Sequence, residues 1–266
     1  MRLAFLRPVL FATALAALLG AHPATALAKT IRIGVTGGPH AEIMEVVKKE
    51  AAKQGLDLDV IEFQDYIQPN AALAEGDLDA NSYQTYPFLE QQVADRGYKI
   101  AAVADTVVFP MGLYSHKVKS IAELPQGAEI GVPNDPVNQG RGLLLLEHAG
   151  ILKLKPGLGF KATPADIISN PKGVKVVPLE APQLPRALDD LDAAAINTNF
   201  ALSGGLNPAK DTIAREEVTR KNVNLLAVQT KDKEAGWVKT LIAVYHSQPV
   251  KTFIKDKYAG AVVAGW

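Results

Sequence analysis

Arg141 is the residue in this sequence best placed to do chemistry, and three polar side chains share its kind of position. Arg141 lies in Gly131–Gly150, GVPNDPVNQGRGLLLLEHAG, which reads as strand, turn and helix. The run Ala128–Pro133 is short and apolar, Asn134-Asp135-Pro136 is a turn signal, and Gly140 opens a helix with an apolar face of Leu143, Leu144 and Leu146. That places Arg141 in the first helical turn. Free N–H groups and the macrodipole favour an anion there, so a cation is unfavourable unless an anion shares the site. Arg141 with the neighbouring backbone N–H groups therefore reads as a carboxylate clamp. An exposed arginine at a frayed helix start would give the same spacing. Tyr66, Asn197 and Asn224 likewise fall at the rim of a candidate strand or just past one. Ligands in open α/β sheets sit beyond the carboxyl ends of strands. An arginine fork suits a carboxylate and an asparagine carbonyl accepts from an ammonium, so the four suit a small zwitterion.

Other chemistries lack their residues. There is no cysteine, so no disulfide, thiolate metal site or cysteine nucleophile. His22, His40, His116, His148 and His246 are far apart and in no metal-ligand spacing. His116 and His246 read as surface residues, and His148 as a helix-end residue. No G-x-S-x-G elbow occurs, and the neighbouring Asp189, Asp190 and Asp192 read as a solvated acidic turn. Gly37-Gly38 fits neither a P-loop nor a dinucleotide fingerprint and reads as a tight strand-to-helix turn. No catalytic residue, cofactor or metal is expected.

The elements that must position these residues follow from periodicity. Thr30–Val35 is a first strand, Ala41–Gln54 an amphipathic helix and Leu56–Phe63 a second strand, a β-α-β opening that argues for a parallel sheet with helices on both faces. Leu78–Asn81 is a brief third strand, and the stretch after it carries Tyr83, Tyr86 and Phe88, which suit a pocket wall and a core equally well. Lys99–Val108 is a long strand interrupted by Phe109-Pro110, where the chain crosses to a second lobe. Ser120–Glu123 and Thr163–Asp166 are helix starts, Val174–Leu179 and Ala193–Ile196 are strands, and Asn224–Gln229 is the return crossing. Glu234–His246 and Pro249–Tyr258 close the chain as helices.

The first 28 residues read as an export signal. Arg2 and Arg7 supply its positive end, Val9–Leu19 is an apolar run too short to span a bilayer, and Ala26-Leu27-Ala28 suits cleavage before Lys29. An uncleaved anchor is the alternative. What remains is 238 residues, a size for two lobes, with 26 Lys and Arg against 28 Asp and Glu. That balance gives no electrostatic case for nucleic acid or an anionic membrane.

Longer matches carry a resemblance over nearly the whole of that chain. They include Phe63-Gln64-Asp65-Tyr66, Gly76–Asn81, Asp95–Lys99, VPNDPVNQGRGLLLL (Val132–Leu146), LEAPQLPRALDD (Leu179–Asp190), AAAINTNFA (Ala193–Ala201) and the ending Gly260–Trp266. In these segments the chain resembles the methionine-binding lipoprotein family of NlpA type, substrate-binding components of ABC importers. The resemblance implies an α/β, two-lobed periplasmic binding protein of type II-like form, each lobe a mixed sheet flanked by helices. Residues 29–109 would form the first lobe, 110–229 the second, and 230–266 would return to the first. It implies a non-enzymatic monomer that captures an amino acid and hands it to the permease and ATPase of an importer. Arg141 would hold the carboxylate, Asn197 and Asn224 the polar end, and Tyr66, Tyr83, Thr85 and Phe88 the side chain. The family's F-Q-H-x-P-Y segment reads Tyr83-Gln84-Thr85-Tyr86-Pro87-Phe88 here, so Thr85 replaces a histidine and Phe88 a tyrosine. These departures bear on which side chain fits. The family's lipid-bearing cysteine is also missing, which implies a freely diffusing periplasmic protein. An enzyme or a ligand sensor on the same fold is the alternative.

Overall fold

The computed structural model describes residues 30–219 and 222–266. The expected export signal and the expected start at Lys29 lie outside the described residues. In chain order come β1 (Ile31–Thr36), α1 (Pro39–Ala52), β2 (Leu58–Phe63), α2 (Gln68–Glu75), β3 (Ala80–Thr85), α3 (Tyr86–Arg96) and β4 (Ile100–Val108). The chain then crosses through Phe109-Pro110-Met111 into β5 (Gly112–Tyr114), β6 (Glu129–Pro133), α4 (Pro136–His148), the ribbon strands β7 (Lys153–Leu154) and β8 (Ile167–Ser169), β9 (Lys175–Leu179), α5 (Leu184–Ala187), β10 (Ala193–Ile196), α6 (Thr198–Ser203) and β11 (Thr212–Arg215). It ends with β12 (Val223–Gln229), α7 (Gly236–Tyr245), α8 (Gln248–Tyr258) and β13 (Val263–Ala264).

These strands build two mixed sheets. The first runs β13-β4-β12-β3-β1-β2 and the second β11-β5-β10-β6-β9. In the first, β1 pairs parallel with β2 and β3, as the β-α-β opening requires, while β12 runs antiparallel between β3 and β4. All but one residue of β1 is buried, which fits a strand with helices on both faces. Helix α1 covers it with Ile43, Met44, Val47 and Ala51, a stripe at three- and four-residue spacing. The second sheet has its own core, where Leu143, Leu145 and Leu146 of α4 pack with Ile130, Val132 and Ala195. Leu145 joins that face fully buried, while Leu144 packs against the same core only partly buried.

Two expectations need correction because of where elements begin. Strand β12 lies in the middle of the first sheet, so the return precedes Val223, and a second lobe extending to residue 229 would take in a strand of the first. A lone apolar strand is compatible with either sheet; the free slot between β3 and β4 decides it. Helix α4 begins at Pro136, four residues before Gly140, with Asp135 as its N-cap accepting from the Asn138 backbone N–H at 2.9 Å. Arg141 therefore sits in the second turn, and a side chain of the protein already caps the helix start. Gly140 serves close packing instead: a Cβ there would meet the Phe160 carbonyl oxygen at 2.2 Å. Gly140→Ala should consequently lower the melting temperature by several degrees, since backbone must move to admit the methyl group; an unchanged melting curve would contradict this packing.

Candidate functional site

The seven side chains singled out in the sequence line one cavity between the sheets. Arg141, Asn197, Asn224, Tyr66, Tyr83, Thr85 and Phe88 are joined there by His40, Gln84, Phe109, Asn138 and Asn199. The first sheet supplies Tyr83, Gln84 and Thr85 from β3 and Asn224 from β12. These strands pair so that Asn224 faces Thr85 across the ladder. The second supplies Asn138 and Arg141 from α4, Asn197 at the N-cap of α6, and Asn199 within it. The two halves touch: the Tyr66 hydroxyl donates to Asn199 Oδ1 at 2.6 Å, and Tyr66 packs on Phe200 with centroids 4.9 Å apart.

Arg141 is buried, at 5% exposure, but its fork is already engaged. Nε donates to Glu216 Oε1 at 2.8 Å and to Oε2 at 3.0 Å, while Nη2 donates to Glu216 Oε2 and to the Phe109 carbonyl, each at 2.6 Å. Glu216 lies just past β11 and also accepts from the Met111 backbone N–H at 2.7 Å. The carboxylate thus ties the arginine to both segments that pass between the sheets. Of the three guanidinium nitrogens, Nη1 makes none of these contacts. Nothing local marks Glu216, which lies 75 positions from Arg141 in an unremarkable Arg215-Glu216-Glu217 run.

Among the described residues, three buried atoms on cavity-lining side chains have no hydrogen-bond partner: Asn197 Oδ1, Asn199 Nδ2 and His40 Nε2. Buried polar groups are normally paired, so these mark where a polar ligand would complete the site. The arrangement offers acceptors and donors on both sides of a small zwitterion.

Opposite lies an aromatic wall. Tyr66, Tyr83 and Phe88 sit with centroids 6.0–6.2 Å apart. The Tyr83 hydroxyl donates to the Tyr66 carbonyl at 2.9 Å, and burial pushes both tyrosines well above their usual pKa, so they stay neutral. Gln84, Asn70 and Asn81 form a closed amide network, with Asn70 and Gln84 exchanging bonds of 2.7 and 2.6 Å. Tyr86 points away: it packs in the cluster with Leu73, Leu78 and Leu225, and its hydroxyl donates to Asp105 at 2.9 Å. His246 is not a free surface group either, since it stacks on Trp266 at 4.8 Å and Nε2 meets the Asp105 carbonyl at 2.7 Å.

His40, in the first turn of α1, went unnoticed as a cavity residue. Its Nδ1 is 2.8 Å from the Thr36 hydroxyl and its ring meets Phe109 edge-on at 4.5 Å. Desolvation lowers its pKa from 6.5 to about 3; the neighbouring Asn224 amide opposes this without closing a bond of ordinary geometry. His40 is therefore neutral when folded. Below pH 6.5 the unfolded chain takes up a proton that the folded one refuses, so stability falls with pH across the window from 6.5 to about 3. The slope approaches about 1.4 kcal/mol per pH unit within it. Chemical denaturation at several pH values should show His40→Gln losing that part of the slope; an identical slope in both proteins would refute the assignment.

Comparison with known proteins agrees with this architecture. The model of the NlpA lipoprotein family matches residues 31–266. The chain belongs to the NlpA lipoprotein family. Within it, the D-methionine-binding lipoprotein MetQ of Escherichia coli K12 is 46% identical over 239 residues, covering 89% of this chain and 88% of that one. A nutrient-binding protein from Burkholderia cenocepacia, solved bound to methionine, is 52% identical with a TM-score of 0.87, covering 89% of this chain and all of the other. A periplasmic substrate-binding protein of an ABC transporter from Coxiella burnetii is 43% identical with a TM-score of 0.86, over 88% of this chain and all of that one. This NlpA-family chain thus has the two-lobed α/β fold of periplasmic substrate-binding proteins, with the cavity between its lobes.

Proposed function

We propose that this protein captures a neutral, mostly apolar amino acid, methionine first among them, in the cavity between its lobes and delivers it to the permease and ATPase of an ABC importer. The observation that carries the reading is the pairing, in one cavity, of buried Arg141 and the unpartnered Asn197 oxygen with an aromatic wall bearing no charged side chain. Arg141 meets the carboxylate, Asn197 and Asn224 the ammonium, and Tyr66, Tyr83, Phe88 and Thr85 enclose the side chain. A thioether packs well against ring edges. The methionine-bound relative and the MetQ relatives support the same ligand. The protein acts as a monomeric receptor, not an enzyme, and its lobes hinge at the two crossing segments.

Calorimetry and thermal shift over the common amino acids, D-methionine and methionine dipeptides, on protein refolded free of ligand, test this. A ligand that binds only the folded, closed form adds about 2.7 kcal/mol at a hundredfold excess over Kd, so methionine should raise the melting temperature by several degrees and compact the protein in solution scattering. A preference for charged side chains would overturn the reading. Thr85→His should sharpen the preference for methionine, because the imidazole fills space that threonine leaves.

The same reading makes the protein exported and free of lipid, because no cysteine is present to carry one. Intact mass of the periplasmic form should correspond to a start at Lys29; an added diacylglycerol mass would contradict it.

A further inference from the structure

The amide groups around Asn197 form a directed chain. Both oxygens of Asp135 face the Asn138 side-chain nitrogen, at 3.1 and 3.0 Å. A carboxylate accepts only, so Asn138 must turn its NH₂ toward Asp135 and its carbonyl oxygen away. That oxygen accepts from Asn197 Nδ2 at 2.9 Å. Asn197 is then obliged to turn Oδ1 the other way; that oxygen is buried without a partner among the described residues, on a side chain that lines the cavity. Each link polarises the next in the same sense, since every amide in the chain donates toward the negative charge. Asp135 itself lines no part of the cavity.

We propose that Asp135, acting through Asn138 and Asn197, is the remote counter-charge for the ligand's ammonium group and sets the site's preference for amino acids over the corresponding deaminated acids. The proposal rests on the amino-acid reading above. Asp135 and Asn138 are positioning residues; the group that touches the ligand is the Asn197 oxygen. The direction of the chain is what matters. With asparagine at 135, cap geometry survives, because its carbonyl still accepts from the Asn138 backbone N–H. The side-chain amides lose their fixed sense, however, and Asn197 is free to present NH₂ to the cavity, which repels an ammonium.

The test is calorimetric titration of the full chain and of the variants Asp135→Asn and Asn138→Ala with methionine and with 4-(methylthio)butanoate, the same molecule without its ammonium. Asn138→Ala keeps the Asp135 cap, which uses backbone, and cuts the chain at its middle, so it serves if the first variant folds poorly. The expected result is a loss of about tenfold to a hundredfold for methionine, as for a hydrogen bond to a charged group, with the deaminated acid unchanged or tighter. Circular dichroism confirms folding. An equal loss for both ligands means a merely structural role and overturns the proposal, as does no loss for either. If the unmodified protein binds no amino acid at all, the functional reading fails and the relay falls with it. If it binds methionine but the variants do not discriminate, only the relay fails.

Discussion

Arg141→Ala is expected to weaken amino-acid binding by about 30-fold to several thousandfold, the loss of about 2–5 kcal/mol that follows removal of one partner from a buried charged contact. The arginine is 5% exposed and lines the cavity, so water cannot replace it cheaply. Its engagement with Glu216 sharpens the expectation for Arg141→Lys. Lysine can put one ammonium near the ligand, but it cannot at the same time serve Glu216, the Phe109 carbonyl and a ligand carboxylate in the planar pattern that a guanidinium provides. It should recover only a small part of the loss. Calorimetry on folded variants decides: unaltered affinity in Arg141→Ala would remove Arg141 from the site.

Glu216→Ala should have the largest effect on stability. It deletes the acceptor of three contacts from Arg141 and one from the Met111 backbone N–H. Removing one member of a buried pair strands the other charge, at a cost of about 3–5 kcal/mol when burial is complete. Glu216 retains 12% exposure, so about 2–4 kcal/mol is the better expectation, or roughly 5–15 °C in melting temperature for a chain of this size. Glu216→Gln keeps an acceptor for the Met111 N–H and should lose less. Affinity should fall as well, because Arg141 is no longer held. A melting temperature within a degree of the unmodified protein would show the pair to be energetically idle.

How each wall was assembled explains what was legible beforehand. Thr85 stood out only through the resemblance to the family's F-Q-H-x-P-Y segment, whereas Tyr83 and Phe88 stood out also as aromatic residues following a strand, and the fold brings all three to one cavity. Tyr86 stood out for the same reason but faces Asp105, since a helix beginning at position 86 rotates successive side chains away from each other. Asn138 and Asn199 carry no such signal, because an asparagine near a turn ordinarily serves the local backbone. Only the approach of α4 to α6 turns them into an amide chain and a cavity donor.

The sequence by itself determined the α/β class and most strand and helix positions, and it pointed to Arg141, Asn197, Asn224, Tyr66, Tyr83, Thr85 and Phe88, which the fold brings to one cavity. Those features depend on local periodicity, turn chemistry and long ordered motifs, all of which are written along the chain. Tertiary structure alone decided the place of β12 between β3 and β4, the engagement of the Arg141 fork by Glu216 and the burial of His40 in the cavity wall. It had to, because these depend on which groups meet across two sheets. A strand's edge partner, a charge's counter-ion and a histidine's solvation are set by neighbours tens of residues away, and no local pattern encodes them.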